Sequence, residues 1–486
     1  MPPLSLKQIS VQKDGEGNDG RFDPADPRTW PSKWKWINIL LISMQGTLSP
    51  IASTILVMGT TQLMSDFSLT NTYVAALPIG LYVLGLGIGP LFVAPCSEVY
   101  GRRVAYVVSF CIFTVLNVGC ALSPNIGALI VLRLLSGMAG SAGPSLGGSS
   151  VGDMFRPEER GKAQAVYSLG PTFGPVLGGV MGGFIVHGTG GWRWLLWVMA
   201  IASGVTSVAA IFLQRETYRP FLLRQKQGLE GAVTHPRAHI ELLKVLRVAL
   251  TRPVRLLFTS PICTFMSLYL SLIYGILYLH LITIPLLYGP VPIPPLFSYR
   301  WTGGTTGLAF LGAGIGSLFG TAVCARFLNR SYARAARHHA GKFGQPEVAI
   351  APIRMPEFRL PFLQAGMVIV PAGLIIFGWS AEKQTHWVVP LVGACVLGMG
   401  MLMGYVAIHA YLVDAFEQYA ASALAAAVIT RCVLTCVLTV VGSELYRRLG
   451  YAWGSMLLAF ICIAMIPIPF FLERYGPQLR ARTIRL

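Results

Sequence analysis

Long runs of apolar residues recur along the whole chain and are separated by short polar connections. Each run holds about 18 or more mainly apolar residues, enough for a helix to cross a hydrocarbon core of ~30 Å. The apolar positions are continuous and do not alternate with polar ones, so the runs are predicted to be helices rather than barrel strands. Twelve spans are predicted, at residues 36–58, 73–94, 104–122, 127–150, 163–186, 192–213, 254–280, 305–328, 359–379, 387–411, 420–442 and 452–472.

The composition agrees with a protein that resides in a lipid bilayer. Hydrophobic residues make up 54% of the 486 residues, charged residues make up only 12%, and the mean hydropathy is +0.60. A soluble protein of this length needs far more charge to cover its surface. The predicted fold class is therefore an all-α integral membrane protein.

The net charge of +18 raises the question of nucleic-acid binding, and the distribution of the charge argues against it. The basic residues lie in short loops between the spans, as residues that fix membrane topology do. Thirty-one of the 38 Lys and Arg residues fall in the tails and even-numbered loops, and five fall in odd-numbered loops. This asymmetry predicts a multi-pass protein with both termini in the cytosol, which we expect in the plasma membrane, with no nucleic-acid partner.

Polar segments divide the chain into two groups of six spans. Residues 1–35 are polar and contain several Asp, Gly and Pro residues, so they are predicted to be a disordered cytosolic tail. Residues 214–253 are basic and are predicted to form a cytosolic central loop between helical bundles at 36–213 and 254–473. Residues 474–486 are predicted to be a cytosolic C-terminal tail.

A charged turn follows the second span, with the sequence Ser-Glu-Val-Tyr-Gly-Arg-Arg at residues 97–103. A tight turn at Gly101 would hold the guanidinium groups of Arg102 and Arg103 beside a carboxylate, for which Glu98 is the candidate. Such a cluster can hold helix ends together in one conformation and release them in another. The alternative is an ordinary basic loop that only fixes topology.

Two arginines lie inside predicted spans, Arg133 in the fourth and Arg431 in the eleventh. A charged side chain in hydrocarbon costs at least ~2.5 kcal/mol, so such residues usually serve a function and face the interior of a bundle. Both are therefore predicted to face a central cavity or a polar neighbour. The alternative for Arg133 is a structural arginine whose long side chain reaches the membrane surface.

The fifth span combines glycines and prolines in a regular pattern, with Gly170, Pro171, Gly174, Pro175, Gly178, Gly179 and Gly182. Glycines four residues apart share one helix face and let another backbone approach closely. The two prolines remove amide donors and introduce a bend. By itself, the pattern predicts a close helix contact with a hinge.

These segments together resemble the major facilitator superfamily, and within it the fungal twelve-span drug–proton antiporters. The charged turn is similar to the superfamily signature after the second helix, although Ala94 stands where a glycine is usual. Arg133 resembles the fourth-helix arginine that is implicated in proton coupling, and the fifth-span pattern resembles the antiporter signature of that helix. Asp414 lies in a segment similar to the tenth loop of these antiporters. There it is a candidate partner for basic groups across the repeat, or a plain helix-end acid.

Five further residues are candidates for the lining of a substrate cavity, namely Gln45, Tyr82, Tyr274, Tyr278 and His409. Aromatic and polar side chains suit bulky amphipathic organic molecules, which they hold by stacking and cation–π contact. A histidine in a span titrates near neutral pH when it is solvated. Each of these residues can equally be a packing residue, and no metal site or cofactor is predicted.

The resemblance implies a major facilitator fold of two six-helix bundles with alternating access. The predicted function is a monomeric secondary transporter that exports small organic molecules, such as drugs, polyamines or secondary metabolites, by proton antiport. A proton-coupled uptake symporter of the same fold is the nearest alternative. A polytopic membrane enzyme would need a His/Asp or carboxylate constellation at a membrane face, and the sequence shows none. A phosphate-binding Gly-x4-Gly-Lys-Ser/Thr loop is also absent, which argues against an ATP-driven pump.

Overall fold

The computed structural model describes residues 26–226, 236–290, 295–302, 304–342 and 356–483, and within these ranges the chain forms helices and no strand. We number the spanning helices in chain order. The first bundle contains α1 (Ser32–Asp66), α2 (Thr72–Tyr100), α3 (Arg102–Ala121), α4 (Ile126–Met154), α5 (Pro157–Thr189) and α6 (Arg193–Leu213). The second contains α7 (Pro261–Tyr288), α8 (Leu311–Lys342), α9 (Leu360–Glu382), α10 (Val388–Phe416), α11 (420–449) and α12 (451–465).

The last two spans are joined without a loop in one helical stretch, Ala420–Met465, which is 46 residues long. Gly450 breaks it with φ 73° and ψ 174°, a conformation outside the helical region. The hydroxyl oxygens of Tyr446 and Ser455 lie 3.2 Å apart across the break, so its two arms pack against each other. With the ten preceding spans, the described residues contain twelve crossings, and the predicted all-α fold of twelve spanning helices is confirmed.

The chain around the central segment is more helical than predicted. Helices cover Arg219–Lys226 and Pro236–Thr259 within or beside the predicted central loop. The second of these ends just before Ser260, whose side chain accepts a hydrogen bond from the amide of Cys263 and caps α7. α7 therefore runs from Pro261 to Tyr288, whereas the apolar run predicted 254–280.

The predicted N-terminal tail also becomes ordered earlier than expected. Residues 1–25 lie outside the described residues, but a short 3-10 helix forms at Pro27–Thr29 and α1 begins at Ser32. Asp26 caps this turn at the amide of Arg28, and Lys35 donates to the Arg28 carbonyl at 2.7 Å. The prediction of disorder is therefore wrong for residues 26–35, because these local polar contacts stabilise them. Of the predicted C-terminal tail, residues 474–483 belong to the helix Pro467–Thr483 and residues 484–486 lie outside the described residues.

The outer helices of both bundles expose large apolar side chains, which contact lipid in a bilayer. These side chains include Val104, Val108, Ile112 and Val115 on α3, Ile201, Val205, Val208 and Phe212 on α6, Val368, Ile376 and Trp379 on α9, and Trp453, Leu457 and Phe460 on α12. The remaining helices form the inside of each bundle and the contact between bundles.

Both ends of the described chain lie at one face of the bundle, here named the terminal face, because twelve crossings return the chain to its starting side. The other side is named the opposite face. Direct contacts between the two bundles run along α2 with α11, along α5 with the start of α8 and the residues just before it, and between the second half of α1 and α7. These contacts are here named the seam. A β-carbon at Gly80 of α2 would lie 3.2 Å from the Cys436 sulfur of α11. The seam contacts at glycines lie at mid-depth and in the half of each helix nearer the opposite face.

Candidate functional site

One face of α5 lies directly against the backbone of α1. A β-carbon at Gly174 would lie 2.6 Å from the Cβ of Pro50, and one at Gly178 would lie 2.5 Å from the Ile51 carbonyl. A β-carbon at Gly182 would lie 2.7 Å from the Ile55 carbonyl oxygen. Gly170, one helical turn before Gly174, faces Thr47 and Ser43. Only glycine permits this approach, since any β-carbon would overlap backbone or side-chain atoms of α1. The four evenly spaced glycines thus fix α5 to α1.

A second face of the same helix forms part of the seam. Gly179 of α5 lies against the ring of Phe310, and Gly183 lies against Gly307. Phe310 and Gly307 stand in the residues just before α8 begins at Leu311. A β-carbon at Gly183 would be 2.9 Å from both the Cα and the N of Gly307. Pro171 and Pro175 lie inside the helix. The carbonyl of Pro175 accepts a hydrogen bond from the Thr54 hydroxyl of α1 at 2.7 Å.

Arg133 of α4 is fully buried inside the first bundle. Its Nη2 donates to the Ala52 carbonyl at 2.6 Å and its Nε donates to the Pro78 carbonyl at 3.2 Å. The guanidinium lies 4.1 Å from the ring centroid of Tyr82, while Nη1 has no hydrogen-bond partner. α1 tightens into a 3-10 turn soon after Ala52, which leaves carbonyls there without their usual helical donors. Arg133 therefore joins α1, α2 and α4 and does not reach a membrane surface.

Arg431 of α11 lies in a group of aromatic side chains at the inner side of the second bundle. Its guanidinium stands 4.2 Å from the ring centroid of Tyr274 on α7. The ring of Tyr274 lies 5.4 Å from that of Tyr405 on α10, which in turn is 4.0 Å from the ring of His409. All four side chains are half-buried, and we name them the Arg431 cluster.

Two tyrosines connect the surroundings of the two arginines across the seam. Tyr82 donates to the Ser49 carbonyl at 2.9 Å, while the Tyr278 and Ser53 hydroxyl oxygens lie 2.9 Å apart. Tyr278 of α7 packs in one small cluster with Cys432 of α11 and Val83 of α2. The structure thus brings Tyr82, Tyr274, Tyr278, His409 and both arginines into one connected region. Gln45 is buried on α1 outside this region, and its amide atoms have no hydrogen-bond partner.

The turn at Gly101 is held by a carboxylate that the sequence did not indicate. Gly101 has φ 92°, and the Glu216 carboxylate accepts hydrogen bonds from the amides of Arg102 and Arg103, both at 2.9 Å. The Arg102 side chain pairs with Asp153 at 3.3 Å. Glu98 is exposed and, within the described ranges, pairs with neither arginine. The expectation that Glu98 supplies the carboxylate is therefore wrong, because it points out of the turn while Glu216 and Asp153 reach into it.

The described hydrogen bonds and ion pair of this turn join the first bundle to Glu216 of the central segment, and none of them reaches the helices α7–α12. The Arg102 side chain also donates to the Ser97 hydroxyl at 3.0 Å, and Arg103 donates to the Ile211 carbonyl of α6 at 2.7 Å. The turn thus joins the ends of α2, α3, α4 and α6. Asp414 is also confined to one bundle, since it pairs with Arg359 at 2.9 Å just before α9. Among the described residues, Asp414 therefore lacks the basic partner in the first bundle that the candidate contact across the repeat would require.

A similar turn stands at the opposite face, between α11 and α12. Gly450 has positive φ, and Glu382 at the end of α9 accepts hydrogen bonds from the amides of Tyr451 and Ala452, at 2.8 and 3.3 Å. A carboxylate at a helix N-terminus satisfies free amides and the positive end of the helix dipole. The Gly101 and Gly450 turns lie at the two faces of the bundle and are stabilised in the same way, by a carboxylate that accepts hydrogen bonds from the first amides of the next helix.

Sequence reasoning missed Tyr405, Glu216 and Glu382. Tyr405 lies one helical turn before His409, so the i,i+4 spacing could have identified it. Glu216 and Glu382 are far along the chain from the amides that they cap, and no local pattern marks them. No group of three His, Cys, Asp or Glu side chains arranged for a metal ion occurs in the part of the chain that is described.

Comparison with known proteins agrees with this architecture. A sequence model described as Major Facilitator Superfamily matches residues 37–439. The MFS transporter cpaT of Aspergillus oryzae is 38% identical, in a match that covers 99% of this chain and 98% of that protein. The efflux pump radE of Floropilus chiversii is 37% identical, and the match covers 95% of this chain and 84% of the relative.

The fold is also that of solved transporters. The xylose transporter XylE from E. coli, in a partially occluded inward open conformation, superposes with a TM-score of 0.62 at 14% identity. The superposition covers 91% of this chain and 98% of XylE. With these relatives, the chain is a multi-pass membrane transporter and not an enzyme. It belongs to the Major Facilitator Superfamily.

Proposed function

We propose that this transporter exports a small organic molecule in exchange for protons, with alternating access between its two bundles. The observation that carries this proposal is the position of α5, which touches α1 on one face and the start of α8 on the other through glycines. Alternating access requires the two bundles to move relative to each other. A helix such as α5, which is packed tightly against its own bundle and touches the other bundle through small residues, permits that movement. The Gly–Pro pattern of this helix resembles that of antiporters.

The proposed direction is from the cytosol outward across the plasma membrane. The charge asymmetry supports a cytosolic location for both termini, which would make the terminal face cytosolic. The seam contacts lie toward the opposite face, so the Arg431 cluster would be reached from the cytosol, where an exporter loads its substrate. The relative that is named an efflux pump also supports export. Both bundles come from one chain, which supports a monomeric transporter.

The proposed coupling site is Arg133. It holds carbonyls of α1 and α2 while it stacks on Tyr82, and Tyr82 is close to Tyr278 in the other bundle. A change of charge or solvation near Arg133 would therefore act on three helices and on the seam. The turn residues Gly101, Arg102 and Arg103, together with Asp414 in the second bundle, are assigned a gating role at the terminal face, whereas Glu98 forms no hydrogen bond or ion pair with the turn arginines in the described chain and is left out of it.

The test uses purified protein in liposomes with an acidic lumen. Lumenal pH and accumulation are followed for a panel of aromatic compounds of matched size that are anionic, neutral or cationic. Antiport predicts that at least one compound enters as protons leave, and that Arg133→Ala abolishes this exchange. Lys383→Ala, an exposed residue beyond α9, is the control and is expected to retain it.

Three outcomes would count against the proposal. If uptake ignores the pH gradient, the protein is not proton-coupled. If protons and compound move in the same direction, it is an uptake symporter. If Arg133→Ala exchanges at the rate of the control, Arg133 has no coupling role. Monodispersity of the Arg133→Ala protein in size-exclusion chromatography shows whether a loss of exchange reflects misfolding.

A further inference from the structure

In the ranges that the structure describes, the middle sections of the spanning helices contain arginine but neither Asp nor Glu. Among the described residues, the Asp and Glu side chains of the spanning helices lie near the helix ends, as Asp66, Glu98, Asp153, Glu382, Asp414 and Glu444 do. In the described chain, Arg326, midway along α8, is exposed, whereas Arg133 and Arg431 are the arginines that lie away from helix ends with their side chains inside the bundles. An uncompensated charge at such depth is unfavourable, so the arrangement favours a ligand that brings the missing negative charge.

The two arginines differ in what their guanidinium groups already contact. Arg133 is fully buried and donates to two backbone carbonyls inside the first bundle. Arg431 is half-buried, stacks on Tyr274, and forms no ion pair with any described carboxylate. Arg431 therefore has donor groups available to a ligand, whereas Arg133 serves to join helices.

The surroundings of Arg431 are aromatic and lie toward the terminal face. The ring of Tyr274 on α7 lies 5.4 Å from that of Tyr405 on α10, and the ring of His409, one turn further along α10, lies 4.0 Å from that of Tyr405. All three rings are half-buried. His409 stands seven residues before the end of α10 at Phe416, about 10 Å at 1.5 Å per residue. The cluster thus extends from mid-depth toward the face from which we propose that substrate enters. Flat rings offer their faces to flat ligands.

We infer that the substrate is a flat, conjugated organic anion whose carboxylate or other ionised acid group binds Arg431 and whose rings lie against Tyr274 and Tyr405. An arginine–carboxylate pair is among the strongest hydrogen-bonded contacts in proteins, and a planar guanidinium can bind both carboxylate oxygens. The same arginine repels polyamines and lipophilic cations. This inference rests on the proposed transport function, and it selects one chemical class among the small organic molecules considered above.

The test is equilibrium binding to the full-length protein in lipid nanodiscs. Three radiolabelled probes of one shape are compared by equilibrium dialysis: 2-naphthoate, neutral 2-naphthamide and the 2-naphthylmethylammonium cation. The native protein is expected to bind naphthoate at least about ten-fold more tightly than the amide, and the cation more weakly still. Arg431→Gln should remove the preference for the acid, and Arg431→Lys, which keeps the charge, should retain part of it.

The control is Arg334→Gln, which removes an exposed arginine eight residues before the terminal end of α8 and should leave the preference unchanged. Equal binding of acid and amide, tighter binding of the cation, or no saturable binding of the acid would each overturn the inference. A preference that survives in Arg431→Gln would overturn the assignment to Arg431. Proton exchange with a neutral or cationic compound in liposomes would leave the exporter proposal standing, so the two failures are distinguishable.

Discussion

The contact between Gly183 and Gly307 gives the sharpest test of the seam between the bundles. Replacement of Gly183 by alanine adds one methyl group, whose carbon would lie 2.9 Å from the Cα and N of Gly307. Real β-carbons essentially never lie that close to backbone atoms. The backbone of the chain before α8 would have to move away from α5. The described arrangement, with the bundles in contact toward the opposite face, should therefore lose stability relative to a conformation in which they separate there.

The size of the effect follows from the cost of overpacking. One additional methyl group in a closely packed contact costs about 1–3 kcal/mol. Since each ~1.4 kcal/mol changes an equilibrium tenfold, the closed arrangement should lose about 5- to 150-fold in population relative to the separated one. The higher helix propensity of alanine, about 1 kcal/mol, acts on α5 in both conformations and cancels in their ratio.

The population is measured by electron spin–spin distances in lipid nanodiscs. Spin labels on Thr70 and Lys383, both exposed at the opposite face, report the separation of the two bundles in protein that lacks its nine native cysteines. Gly188→Ala is the matched control, because Gly188 lies on the same helix and a β-carbon there meets no atom within 4 Å. The expected result is a longer distance and slower exchange for Gly183→Ala alone.

The reasoning would be refuted if both alanine variants gave the same distance distribution and the same exchange rate. That result would mean that the backbone near Gly307 can move away from the added methyl group without loss of free energy. The contact between the bundles would then not depend on glycine at position 183. A fall in unfolding temperature for Gly183→Ala without any change in distance would also count against it. In that case the methyl group would disturb folding and not the balance between conformations.

Three further substitutions test the turns and the buried arginine. Glu216→Gln should lower the unfolding free energy by about 1–2 kcal/mol, because three amides lose a charged acceptor, while Glu98→Gln should change it by less than about 0.5 kcal/mol in the same denaturation experiment. Gly450→Ala should cost about 1–3 kcal/mol by thermal unfolding, since the backbone at φ 73° and ψ 174° is accessible essentially to glycine alone, and an unchanged midpoint would contradict the described turn. Arg133→Gln should lower the unfolding temperature and remove proton-linked exchange together, because two carbonyls lose a charged donor; exchange at the native rate would show that the buried guanidinium is not needed.

The parts of the fold that follow from local pattern were predictable from the sequence. Apolar run length gave the number of spans, and the four-residue spacing of glycines in the fifth span gave the face of α5 that approaches another backbone. The position of Gly101 in its charged turn was equally readable. Each of these depends on the chemistry of neighbouring residues along one helix or one turn.

The parts that depend on residues far apart in the chain were not predictable in the same way. Glu216 reaches the Gly101 turn from a position 114 residues from Arg102, and Glu98, which is adjacent, turns away. The start of α7 also escaped prediction, because the apolar run continues through Ser260 and only the cap at that residue separates two helices. Local pattern gives the elements, whereas their partners follow from packing, which a single sequence does not display.

The glycine contact between α5 and α1 has a mechanical consequence. Where side chains separate two helices, rotamer changes absorb small displacements, but here a backbone meets a backbone across Gly174, Gly178 and their neighbours. Densely packed contacts transmit strain instead of damping it. A sub-ångström shift of α5 against α8 therefore moves α1 as part of one stiff body. The Ser53 hydroxyl of α1 is hydrogen-bonded to the Tyr278 hydroxyl of α7. Such a shift would therefore stretch this hydrogen bond, which lies beside Arg431.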